Sequence, residues 1–167
     1  MKTKHKRLIK IIFKIIFLLY IVVLTYFLFF SERYGRIATH IEYRYNLVLF
    51  KELKRFITYR EAIGLESFII NIFGNIAAFV PFAFMLPIIS ENNRKFLNVT
   101  IITFLFSLTV ELLQLISKVG IFDVDDLFLN TLGGIFGYFI FKLANSIRKR
   151  FWLRCQYGKK KEIKIFR

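Results

Sequence analysis

A carboxyl group inside an apolar run long enough to cross a bilayer costs about 3 kcal/mol to insert, so it usually has a partner or a purpose. Glu111 is such a residue. Ser107, four residues earlier, and Gln114, three residues later, share its helical face. Shortly after comes Phe122-Asp123-Val124-Asp125-Asp126, with three carboxylates in four residues. Like charges this close repel unless a cation, an arginine or water intervenes. Asp123 or Asp125 is also a natural N-cap for a following helix, whose positive end favours a carboxylate. Asp126 and Asn130 are four apart, on a face continued by Gly133 or Gly134 and Gly137. Asn71 and Asn75 are likewise four apart. Groups of this kind could bind a hard cation such as Mg²⁺ or Ca²⁺. They could equally hold Arg33, Arg36, Arg44 or Lys118, or bond one helix to another.

The signatures of most enzyme classes are missing. There is no His-Glu-x-x-His, no Gly-x-Ser-x-Gly and no Walker-type glycine-rich loop. His5 and His40 stand apart without metal spacing, and Cys155 is the one cysteine, so no intrachain disulfide forms. No nucleophile, metal or cofactor is identified. The expectation leans away from an enzyme.

These residues are carried by an apolar chain. Hydrophobic residues make up 56% of 167, and phenylalanine alone occurs 22 times. A soluble domain of this length has no interior large enough for that content, whereas a bilayer supplies an apolar solvent. Four stretches approach the ~20 residues that a crossing needs: about 11–30, 68–89, 96–116 and 127–144, the last being the shortest. The expected fold class is therefore all-α: a polytopic membrane protein, one domain, built as a four-transmembrane-helix bundle. The first stretch follows Lys2, Lys4, Lys6, Arg7 and Lys10 as a signal peptide would. It is long for one, however, and Phe29-Phe30-Ser31-Glu32 offers no pair of small residues for cleavage. A retained anchor is expected. Pro81 and Pro87 should kink the second span or mark its end, and Gly133, Gly134 and Gly137 should permit close helix packing.

The formal charge of +15 lies mostly at the termini, flanking apolar runs. That pattern fits membrane orientation and anionic headgroups, and a nucleic-acid partner is not expected. With both termini cytoplasmic, the inside carries Lys and Arg in excess by about two to one. A basic tail follows at about 145–167, and its last ten residues are expected to be flexible. Between the first two spans, Ile41, Tyr45, Val48 or Leu49, Leu53 and Phe56 recur near helical spacing. This segment is either an interfacial amphipathic helix over about Ile41 to Ile57 or a solvated loop. In this orientation Asn71 and Asn75, Glu111 and Gln114, and Asp123, Asp126 and Asn130 share one depth near the outer face. An outward-facing polar pocket is the expectation.

Several motifs resemble the VanZ-like family of membrane proteins. They are Asn46-Leu47-Val48-Leu49-Phe50, Asn71-Ile72-Phe73-Gly74-Asn75 continuing to Phe82, Glu111-Leu112-Leu113-Gln114, the Asp123 to Asp126 run, and Asn130-Thr131-Leu132-Gly133-Gly134. Their combination and order carry the resemblance, over about 45–142. Three positions depart from the family pattern: Leu49 stands where proline is usual, Ala83 where glycine is common, and Lys118 where an arginine usually lies. The resemblance implies a protein of Gram-positive-type cell envelopes. The founding member is associated with reduced susceptibility to teicoplanin, a lipoglycopeptide acting on cell-wall precursors at the outer membrane face. Expected partners are membrane lipids and a lipid-linked cell-wall precursor or the lipoglycopeptide itself, with an oligomer allowed. The alternatives are a membrane-embedded enzyme acting on a lipid or lipid-linked precursor, and a small transporter subunit.

Overall fold

The computed structural model describes residues 2–30, 43–59 and 64–165. Arg33, Arg36, His40, Ile41 and Arg60 lie outside them. Five α-helices appear among the described residues: α1 (Lys2–Phe30), α2 (Lys51–Thr58), α3 (Leu65–Ile89), α4 (Phe96–Ser117) and α5 (Val124–Ile165), with a short 3-10 helix, Glu91–Arg94, between α3 and α4. Two short strands, β1 (Tyr45–Asn46) and β2 (Phe122–Asp123), pair in parallel.

Four of the helices are long and apolar enough to cross a membrane, over Arg7–Phe30, Ile69–Ile89, Phe96–Ser117 and Val124–Trp152. The chain is a multi-pass membrane protein built as an all-α four-helix bundle. Twenty-two residues of α4 rise roughly 33 Å at 1.5 Å per residue, enough for the hydrocarbon core. Many large apolar side chains face outward, among them Leu18, Leu19, Leu97 and Ile116, each more than 60% exposed. In a bilayer these face lipid.

Lipid tails are as apolar as leucine, so close packing and polar contacts must hold such a bundle together. The closest pair is α3 with α5; α4 leans on α5, and α1 lies against α3. Glycine permits the approach. A Cβ added at Gly133 would come within 2.2 Å of the Ile76 carbonyl oxygen on α3, and one at Gly137 within 2.3 Å of the Val80 carbonyl oxygen. One at Gly134 would meet the Thr103 side chain of α4 at 2.5 Å. Thus α5 offers one glycine face to α3 and another to α4. Phe82, Ala83, Leu86 and Val99 form a buried cluster beside a second one of Leu24, Leu28 and Val110. Stacked rings of Phe82 and Phe106, 4.6 Å apart, lie between α3 and α4.

The helix α3 continues through Pro81 and closes at Ile89, two residues past Pro87. Proline supplies no N–H to the carbonyl four residues back. Tyr20 of α1 reaches into this stretch and donates its hydroxyl proton to the Ala78 carbonyl. The helix that carries the fourth apolar stretch continues past Ala144: α5, the longest helix, runs unbroken to Ile165, so the backbone of the basic tail is helical to that residue. Nor does one helix cover Ile41 to Ile57. Instead β1 is followed by a turn and then the eight residues of α2. The Asn46 side chain draws the Val48 N–H into a turn at 3.2 Å, and Phe50 adopts a left-handed conformation at φ 64°. Both interrupt a helix.

Candidate functional site

Polar residues from four segments meet at one end of the bundle. The pairing of β1 with β2 sets Asn46 opposite Asp123, and the Arg44 carbonyl accepts the Phe122 N–H at 3.1 Å. The Asn46 amide donates to Asp123 Oδ1 at 3.0 Å. The same oxygen accepts the Asp125 N–H at 2.8 Å, so Asp123 is the N-cap of α5. From α4, Glu111 Oε2 accepts the Asp123 N–H at 3.0 Å. Glu111 is only 2% exposed and lies beneath this junction.

Asp125 caps a different helix. Its carboxylate accepts the N–H groups of Phe50, Glu52 at 2.9 Å and Leu53 at 3.2 Å. α2 receives no side-chain cap from its own N-cap residue, Phe50, so Asp125 fills that role from the start of α5. The positive end of α2 suits a carboxylate there. The Phe50 ring meets the Phe128 ring edge-on at 5.4 Å. Together these contacts hold a left-handed conformation that costs about 1–2 kcal/mol in a non-glycine residue.

The remaining acid, Asp126, accepts from the Asn75 amide of α3 at 2.5 Å. Among the described residues, no three of His, Cys, Asp and Glu gather closely enough to hold a metal ion. The carboxylates turn to donors of this chain: two amides and five backbone N–H groups. Burial pushes the Asp123 carboxyl above its ordinary range, and the charges of Asp125 and Glu52 push the same way against the hydrogen bonds from Asp125 and Asn46.

Above this network lies an open cavity of about 390 Å³. Asn71, Asp123 and Asp126 are in its walls, as are Asn46, Asp125, Arg44, Lys51 and Arg55. Of the residues expected at a pocket, Asn75 and Glu111 sit behind the wall, each holding an aspartate. Gln114 and Asn130 lie deeper. Gln114 donates to the Leu28 carbonyl of α1 at 2.8 Å, and Asn130 donates to Ser107 Oγ of α4 at 2.9 Å. The Asn130 Oδ1 is buried and without a partner among the described residues. These two amides tie helices together.

Sequence reasoning gave Asp125 only a capping role on its own helix and left Asn46 within a motif. The signal for Asp125 was its place just before the fourth apolar stretch. The signal for Asn46 was weak, because a two-residue strand pairing across 77 positions has no local pattern.

The VanZ/LLP1 family model matches residues 17–145. The chain belongs to the VanZ-like family. No curated protein and no solved structure matches it. The family match takes in the apolar cores of all four spans and both strands of the site, and stops before the basic extension of α5. The five VanZ-like motifs occupy one connected region: Asn46 and Asp123 face each other, Asn75 holds Asp126, and Glu111 holds Asp123. The departures are also placed. Ala83 is fully buried where a Cβ on Gly137 would lie 3.0 Å from its own. Lys118 ends α4 in a left-handed conformation, and its ammonium sits 4.8 Å from the centre of the Tyr43 ring. It does not line the cavity.

Proposed function

We propose that this VanZ-like chain acts in the cell membrane with both termini cytoplasmic and the polar cavity facing outward. There it engages a lipid-linked cell-wall precursor or similar amphiphile and lowers susceptibility to lipoglycopeptides such as teicoplanin. The observation that carries this reading is the cavity, framed by the family's own motifs at one end of the bundle. The opposite end bears Arg7, Lys10, Arg94 and Lys95, as a cytoplasmic side should. Asn71, Asp123 and Asp126 meet the ligand. Asn75 and Glu111 position the two aspartates, and Gln114 and Asn130 hold the helices on which they stand. This reading gives the cavity a binding role.

The test is teicoplanin susceptibility of a deletion strain complemented with wild type, with Asn71→Ala and with Asp126→Asn at equal membrane abundance. Restoration by wild type alone supports the reading. Restoration by all three removes the cavity from the function, and restoration by none removes the lipoglycopeptide phenotype.

A further inference from the structure

The cavity holds both signs of charge, and the two signs are unequally engaged. Asp123 Oδ1 has two donors, Asp125 has three backbone N–H groups, and Asp126 has Asn75. Glu52 is bridged by Arg55 at 2.8 Å. Two donors in the wall differ. Among the described residues, Lys51 forms no ion pair and the Asn71 amide has no hydrogen-bond partner. Arg44 belongs to the same wall. Each acid of the wall thus already has a donor from this chain, while Lys51 and Asn71 keep donors for whatever enters.

Depth narrows the class. The cavity floor includes Ile72, near the start of the span Ile69–Ile89, and Leu129. Leu129 lies about 8 Å along α5 from its start. The headgroup layer of a bilayer is about 5–8 Å thick on each side. With the spans set across a bilayer, a group lodged here would lie at the depth of the lipid phosphates. The cavity, at about 390 Å³, is of ligand size and takes a phosphate with a small polar substituent.

We infer that this cavity receives a phosphate group, held by Lys51, Arg44 and the Asn71 amide at headgroup depth. The inference rests on the binding role proposed above and names the chemistry that is recognised. Raising the Asp123 carboxyl toward its neutral form lowers the repulsion such an anion would meet. The phosphate belongs either to a lipid headgroup or to a free ion, and the two are separable.

The experiment is native mass spectrometry of the full chain in detergent, titrated with dioctanoyl phosphatidylglycerol, dioctanoylglycerol and inorganic phosphate. Wild type should bind the phosphatidylglycerol and not the phosphate-free dioctanoylglycerol. Lys51→Gln and Asn71→Ala should each bind about tenfold more weakly, as loss of a charge-assisted or half-buried donor predicts. Arg148→Gln with Arg150→Gln, which removes cations far from the cavity, should bind as wild type does. Inorganic phosphate failing to displace the lipid assigns a headgroup; displacement at equal concentration assigns the free ion. Equal binding of dioctanoylglycerol, or unchanged binding by both cavity variants, overturns the inference. Lost phosphate binding with unchanged teicoplanin susceptibility in Lys51→Gln would leave this inference standing and remove the proposed function; the reverse pattern would do the opposite.

Discussion

Asp125 and Leu53 are 72 residues apart in sequence, yet the carboxylate of one accepts the backbone N–H of the other at 3.2 Å. With the N–H groups of Phe50 and Glu52, this makes a helix start on one segment and its cap on another. The cavity wall exists because these two segments are fastened there.

Replacing Asp125 should therefore loosen α2 before it harms the spans. Asp125→Asn puts an NH₂ against backbone donors and should cost about 1–3 kcal/mol. Hydrogen exchange at the Phe50, Glu52 and Leu53 amides should accelerate in the detergent-solubilised variant. Protection equal to wild type would mean that the cap does not hold this segment.

Asp123 should behave differently. Burial raises its folded-state pKa above the ordinary 3.8. Its contribution to stability is then fully present below that ordinary value and is lost as pH rises through the folded-state value. Asp123→Asn removes the titration and keeps an acceptor oxygen for Asn46 and the Asp125 N–H. The variant's melting temperature relative to wild type should be higher at pH 7.5 than at pH 4.5. A difference that does not change with pH, or changes in the opposite sense, contradicts the burial argument.

The glycine faces of α5 predict a graded series. Gly133→Ala and Gly137→Ala each drive a methyl into an α3 carbonyl and should cost about 1–3 kcal/mol by overpacking. At Gly120 the added Cβ would come only to 3.3 Å from the Gln114 side chain, so Gly120→Ala should cost less than either. Steric-trap or thermal unfolding in detergent gives the order, and an inverted order would place the tight helix contact elsewhere.

Asn130 and Ser107 make a link between α5 and α4 whose strength a double-mutant cycle can read. Ser107→Ala, Asn130→Leu and the pair should show a coupling of about 0.5–2 kcal/mol, the range for interhelical hydrogen bonds in membranes. A coupling near zero would mean that the Asn130 amide finds another partner once Ser107 is gone.

Much of the fold, and the gathering of polar residues at one end of it, was legible in the sequence. Four apolar runs fix four helices, because a bilayer leaves the backbone no other way to satisfy its own polar groups. The topology of four crossings then brings Asn71, Glu111 and Asp123 to one end regardless of packing detail. Helix boundaries were less legible. α5 outruns the expected Ala144, since hydropathy sees where an apolar run stops and not where a helix does.

What the tertiary structure decided is which polar group meets which. Glu111 and Asp126 both read from the sequence as acids near the outer face of the membrane. In the fold, Glu111 lies under the Asp123 backbone while Asp126 lines the cavity. The division follows from long-range partners: a strand pairing between Tyr45 and Phe122, and an amide on α3 that meets α5 only because Gly133 and Gly137 let the helices close. Periodicity and hydropathy act over one or two helical turns and determine elements and their order. Hydrogen bonds across more than 50 residues depend on the final approach of whole helices.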